Sequence, residues 1–153
     1  MKEFWEDFCK GILCLWQFPQ TFVACFLLIY LHDHDDIIRV YSFGKRNKKV
    51  IVSRRNYCFS LGEFIFVSEK WNITKVITHE YGHSLQSEIL GIFYFIIFLL
   101  SVSYYKFDKI FLSHLRQVYR TRFYYNLPWE KWADYLAGLK RKNRKISPAV
   151  FIM

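Results

Sequence analysis

Two stretches of this chain, Gly11 to Leu31 and Ile89 to Tyr105, contain no Asp, Glu, Lys or Arg. Each approaches the length of a membrane span. Any fold must either bury these runs or lay them against lipid. They also account for an unusual composition, 53% apolar and 21% aromatic over 153 residues, well above a typical soluble domain. The remainder is basic, with a net charge of +9. A basic surface can meet nucleic acid, anionic lipid or acidic peptides. The sequence holds no motif with a nucleic-acid docking geometry, so nucleic acid is not an expected partner. Beside two apolar runs, the expected arrangement places Lys and Arg at the cytoplasmic face of a membrane, against its anionic surface.

The length fits one domain, 1–153, and suffices for a core without disulfides. The cysteines, Cys9, Cys14, Cys25 and Cys58, form no Cys-x-x-Cys pair and read as free thiols in a reducing compartment. The N-terminal flank carries Glu3, Glu6 and Asp7, and no small-residue cleavage site follows the apolar run, so a cleaved signal peptide is not expected. Residues 1–31 read as helical, with a break at "WQFPQ", where Pro19 removes a backbone donor and Gln17 and Gln20 suit lipid poorly. Residues 37–68 change character. "IIRVYSF", "KVIVS" and "YCFSLGEFIFVS" are β-branched and aromatic runs separated by turns, which predicts a small antiparallel sheet. Gly62 inside the last run suggests a bulge or a close backbone approach. A helix over 72–90 follows, capped by Asn72, and Pro128 opens another over 128–140.

"ITHEYGHSLQ", Ile77 to Gln86, lies on the first of these helices. Positions i and i+4 share a helix face, so His79 and His83 can offer two imidazole nitrogens to one ion. Zinc suits such ligands, and a catalytic zinc takes three protein groups and a water whose pKa it lowers to about 7. Glu80 stands where a carboxylate can take that water's proton and pass it to a leaving amine. Gly82 costs a helix about 1 kcal/mol relative to Ala, which makes sense if another backbone must pass close by. The third ligand has to come from elsewhere. In "PWEKWADYL", Glu130 and Asp134 also share a helix face. Glu130 could bind the ion while Asp134 accepts from the far ring nitrogen of a ligand histidine. The plainer alternative for this pair is a solvated helix face.

His79-Glu80-Tyr81-Gly82-His83 together with Glu130-x-x-x-Asp134 resembles the gluzincin metallopeptidases, the thermolysin-like clan. That resemblance implies an α+β, minimal zincin-like domain that hydrolyses peptides. It implies His79, His83 and Glu130 as zinc ligands, Glu80 as the base, and Asp134 supporting His79. The whole chain is also similar to a family of small bacterial membrane-associated proteins, which share stretches like "LWQFPQ", "SLGEFIFVS", "HEYGHSLQSEILG" and "EKWAD" in this order. The larger gluzincins depart from it in one respect: here 46 residues, strongly apolar, separate His83 from Glu130. No residue matches the clan's oxyanion stabilisers firmly. His114, Tyr119, Tyr124 and Tyr125 are chemically able to donate to an oxyanion, and all four also suit a membrane-interface belt.

The insert sets a topological condition. If 89–105 crossed a membrane once, His83 and Glu130 would lie on opposite sides and could not share an ion. Residues 106–129 carry too many charges to be a return span. Seventeen helical residues also cover only about 26 Å, short for a bilayer core. The expectation is therefore a buried or monotopic, non-spanning segment. "LHDHDD", with His32 and His34, reads as an exposed turn, and Cys58 as a packed thiol. "SLGEFIFVS" is the expected edge strand along a substrate cleft, where Glu63 is read as a plain surface carboxylate. The expectations together describe a membrane-associated zinc peptidase. Two rivals are an intramembrane zinc protease and a non-catalytic zinc-binding scaffold or regulator.

Overall fold

The computed structural model describes residues 11–12, 15–71, 74–111 and 123–139. Helix α1 (Phe18–Asp33) carries Pro19 in its first turn, where the missing N–H would have no partner anyway. The break expected at "WQFPQ" is present, with Gln17 in a turn between residues 15–16 and α1. Strands β1 (Ile37–Phe43), β2 (Lys48–Ser53), β3 (Cys58–Leu61) and β4 (Phe64–Ser68) follow, then helices α2 (Thr74–Leu90), α3 (Tyr94–Phe111) and α4 (Pro128–Leu136). The chain is α+β. Asn72, His114, Tyr119 and the basic tail from Lys140 lie outside the described residues.

The sheet differs from the expected antiparallel one. Its order is β1-β2-β4-β3, and β2 runs parallel to β4 while the outer pairs are antiparallel. The cause is local. The run 57–68 is two strands, joined by a two-residue turn of Gly62 and Glu63 beneath the Leu61–Phe64 pair. Gly62 has φ +58°, the positive value a tight hairpin turn requires at its first central position. It is therefore a turn residue and not a bulge. That hairpin reverses the chain once more than expected and inserts β4 between β2 and β3, leaving β3 at the edge. A Cβ on Gly62 would come within 2.8 Å of Thr21 Oγ1 on α1, so the close approach expected there exists.

Strand alternation builds a three-layer core. Val50, Val52, Ile65 and Val67 face α2, where Val76 and Ile77 meet them. Ile51, Leu61 and Phe66 face the other way, onto Ala24 and Leu31 of α1. Each such side chain contributes about 1.5–3 kcal/mol when removed from water. Polar pins fix the layers in register. Ser84 Oγ donates to the Gly62 carbonyl at 2.9 Å, and Ser87 Oγ donates to Gln17 Oε1 at 3.1 Å. Gln20 Nε2 donates to the Gly91 carbonyl. Gln17 and Gln20, awkward in lipid, are thus buried against protein. Lys48 is fully buried at the start of β2, its Nζ 2.6 Å from both Glu63 and Glu88. Glu63, read as a surface carboxylate, is one arm of this clamp between sheet and α2.

Helix α2 ends at Gly91, whose φ of +54° turns the chain through a 3₁₀ segment, Gly91–Phe93, into α3. Trp16 lies so close that a Cβ on Gly91 would overlap its indole. By length and composition, Thr74–Tyr104 is long and apolar enough to cross a membrane. The outer faces of α1 and α3 are apolar and exposed, with Phe18, Phe22, Phe26 and Ile29 on α1, Ile96, Leu99 and Leu100 on α3, and Ile92 in the 3₁₀ segment before it. On the inner face of α3, the Tyr104 ring stacks on Phe123 at 6.1 Å and meets Tyr124 at 5.7 Å. The chain that leaves along α3 therefore returns to it before α4 begins.

Candidate metal centre

The geometry begins with one missing side chain. On α2, Gly82 sits where a Cβ would stand 2.0 Å from the Ala133 carbonyl oxygen and 2.6 Å from its carbon. Only hydrogen fits, so α4 lies directly against α2. The backbone approach expected at Gly82 is that of α4. It places Glu130 and Asp134, one turn apart on α4, opposite His79 and His83, one turn apart on α2.

The side chains then converge. Glu130 Oε2 lies 3.0 Å from His79 Nε2 and 3.3 Å from His83 Nε2. A ligand distance of about 2.1 Å to a tetrahedral ion corresponds to a ligand–ligand edge of about 3.4 Å, so both separations suit a shared ion. Among the described residues, His79, His83 and Glu130 form a buried group able to hold a metal ion, their ligand atoms all within 4.8 Å of one another. Each histidine is oriented from behind. His79 Nδ1 donates to Asp134 Oδ1 at 2.8 Å, and His83 Nδ1 donates to Gln86 Oε1 at 2.8 Å. Gln86 in turn donates from Nε2 to the Trp129 carbonyl at 2.7 Å, at the start of α4. With both Nδ1 atoms engaged, both Nε2 atoms point at the shared site.

The charges are coupled. Burial, the largest influence on His79, pulls its pKa down. Hydrogen bonds to Asp134 and Glu130, with the negative charges of Glu130 and Glu80, outweigh it and raise the group from 6.5 to about 9. His83 is likewise raised, burial being overcome chiefly by the charge of Glu130. Glu130 moves the other way. Burial pushes it up, but the charge of His83 and hydrogen bonds from both histidines hold it well below the usual carboxylate range. In this form the protonated imidazoles donate to Glu130, and those protons occupy the positions a cation would take.

Glu80 is buried on the same helix, and its charge acts on both histidines. Phenols stand beside the ligands. Tyr125 meets the His79 ring edge-on at 5.4 Å. Tyr124 is raised well above 10, first by burial and then by Glu130, whose carboxylate accepts its hydrogen bond. Of the four oxyanion candidates, these two come to the site, while His114 and Tyr119 lie outside the described residues. Sequence reasoning missed two residues. Gln86 follows His83 by three, a spacing that points both to one helix face and could have signalled it. Tyr94 sits in an apolar run that gave no such signal. It is buried, donates from its hydroxyl to the Ser60 carbonyl at 3.4 Å, and feels the charges of Glu80 and Glu130.

The alternative ligands do not join the group. His32 and Asp33 are largely exposed in the last turn of α1, which runs further than the turn expected there, and His34 bonds back to the Tyr30 carbonyl. Cys58, on β3, is a free thiol pushed up to about 12, mainly by burial and then by Glu80. A thiol so far from ionisation is a poor metal ligand.

No protein-family model, curated protein or solved structure matches the chain. Its interpretation therefore rests on the residues themselves: a mixed α+β domain with a buried His-His-Glu group able to bind a metal ion.

Proposed function

We propose that this protein is a zinc-dependent peptidase of gluzincin type, held at an anionic membrane surface with its site on the cytoplasmic side. One observation carries the reading. Two histidines a helical turn apart and a glutamate from another helix bring three donor atoms within 4.8 Å in a buried site, with Asp134 behind His79 and a further carboxylate, Glu80, between the histidines in sequence. A purely structural zinc site usually fills its fourth position with protein, commonly Cys or His. Here three ligands and an acidic neighbour fit a catalytic set better.

His79 Nε2, His83 Nε2 and Glu130 would hold the ion. When bound, zinc lowers the pKa of a coordinated water towards 7 and polarises a carbonyl. The chain's own residues do the rest. Asp134 holds the His79 tautomer that leaves Nε2 free for the ion, and Gln86 does the same for His83. Glu80 receives the proton released during attack and delivers it to the departing amine nitrogen. Tyr124, kept protonated, donates to Glu130 and would serve a developing oxyanion only by turning its hydroxyl from that carboxylate.

The membrane part rests on the exposed apolar faces of α1 and α3 and on the net positive charge. A monotopic attachment suits the arrangement, because Glu130 shares its site with His83 although α3 lies between them in the chain. The test is Glu80→Gln in the purified protein. The variant should keep one zinc per chain and lose peptide hydrolysis by at least about a hundredfold. Undiminished hydrolysis would remove Glu80 from the mechanism. A wild-type protein that binds zinc and cleaves no peptide would favour the non-catalytic scaffold.

A further inference from the structure

The site is shut. His79, Glu80 and His83 are 5, 6 and 7% exposed, and Glu130 is 0%. No peptide bond can reach Glu80 in this arrangement without something moving. Among the described residues, helix α3 is joined to this site by few pins: its Tyr94 donates to the Ser60 carbonyl at the free edge of β3 and feels the charges of Glu80 and Glu130, and its Tyr104 packs on Tyr124, whose hydroxyl donates to Glu130. Tyr94 donates to the Ser60 carbonyl, an acceptor on the edge strand where an extended chain would otherwise pair.

The same helix turns an apolar face outward, through Ile96, Leu99 and Leu100. It joins α2 at Gly91, a positive-φ glycine able to act as a hinge. Trp16 packs on that hinge and carries the apolar surface across to α1, where the Phe18, Phe22 and Phe26 rings meet in succession at 5.5 Å, tilted, and 4.7 Å, edge-on. In sequence, the 17 residues from Lys106 onward hold five Lys or Arg against one Asp. An apolar helix face on a chain of net charge +9 is complementary to an anionic lipid surface. A second copy of a +9 chain would bring like charge to the same face.

We propose that α3 is a lid operated by lipid: its outer face enters an anionic bilayer surface, and that insertion swings it about Gly91 away from the metal site and the β3 edge. The lid rests on the proposed site only for its purpose. Its motion can be measured without zinc or hydrolysis, so the two ideas fail separately.

Histidine carbethoxylation of the full-length, metal-free protein, resolved by mass spectrometry, reports access. Exposed His32 provides the internal control for reagent activity. Vesicles of equal phosphatidylglycerol and phosphatidylcholine should speed modification of His79 and His83 relative to His32 by about tenfold or more, and pure phosphatidylcholine should not. Ile96→Asp with Leu100→Asp, both on the outer face and away from the site, should abolish vesicle binding and the acceleration together. Tyr94→Phe should raise modification without vesicles. Binding without acceleration would overturn the lid. No binding to anionic vesicles would overturn the lipid surface, as would concentration-dependent self-association that buries α3.

Discussion

The closest contact between α2 and α4 makes Gly82→Ala the most informative substitution. On an exposed helix the change would stabilise by about 1 kcal/mol. Here the new methyl would sit 2.0 Å from the Ala133 oxygen and 3.1 Å from its Cα. These are backbone atoms in the middle of a helix and cannot rotate away. To restore an ordinary contact of 3.4 Å, α4 would have to retreat by about 1.4 Å. Overpacking of this kind costs about 1–3 kcal/mol, enough to cancel the helical gain and leave a net loss. At about 2–4 °C per kcal/mol for a chain of this size, the midpoint should fall by several degrees. The larger effect is on the site. Asp134 and Glu130 flank Ala133, so the same retreat lengthens the 2.8 Å bond to His79 and the 3.0 Å approach of Glu130. Loss of the supporting carboxylate alone weakens metal affinity by about 10–100-fold. A zinc titration against a competing chelator, beside a thermal melt, reads both. Gly138→Ala is the control, because a Cβ there meets nothing within 4 Å. It should cost only the strain of φ +69° and leave zinc affinity alone. A Gly82→Ala protein as stable as wild type with unchanged zinc affinity would refute the α2–α4 contact as the source of the site.

Asp134→Asn should keep the fold and lower zinc affinity by about 10–100-fold, as measured by the same titration; unchanged affinity would leave His79 oriented by something else. Zinc binding should release protons. With His79 raised to about 9, apparent affinity should climb with pH until about 9 and then level, whereas levelling near 6.5 would mean that the imidazole is unperturbed. The metal-free protein should show the opposite trend. A folded-state pKa above the unfolded 6.5 contributes stability that is complete below 6.5 and lost as pH rises through about 9, which urea midpoints across that window would show. Lys48→Ala should destabilise by about 3 kcal/mol, the lower end for a broken buried pair because Glu63 is half-exposed and can rehydrate. A loss under about 1 kcal/mol in urea unfolding would mean the clamp contributes only what a surface pair does.

Much of this arrangement is legible in the chain as text, because some constraints are local. The turn at "WQFPQ" follows from a proline. The facing of His79 with His83, and of Glu130 with Asp134, follows from 3.6 residues per turn. Gly82 in a helix interior announces a close neighbour, since a glycine there is costly otherwise. The mixed sheet was not legible. Gly62 within an apolar run fits a bulge or a hairpin equally well, and which one forms depends on whether β4 finds a place beside β2. Nothing in the sequence marks Lys48, and its burial depends on Glu63 and Glu88 arriving from elsewhere in the fold. Tyr94 is one aromatic among many until a fold sets it against Ser60.

The division has one physical reason. Sequence alone determined which groups could share a helix face, because backbone geometry within a helix is fixed by covalent structure and hydrogen bonding. It thereby named the residues able to hold an ion, and tied topology to chemistry: if Glu130 shares an ion with His83, the apolar segment between them does not make a single crossing. Tertiary packing decided the rest: that α4 lies on Gly82 and turns Glu130 to both histidines, that Gln86 reaches the Trp129 carbonyl, and that α3 sets Tyr94 against Ser60 with its apolar side outward. Those contacts join residues tens of positions apart, and their energies exist only once the layers have met.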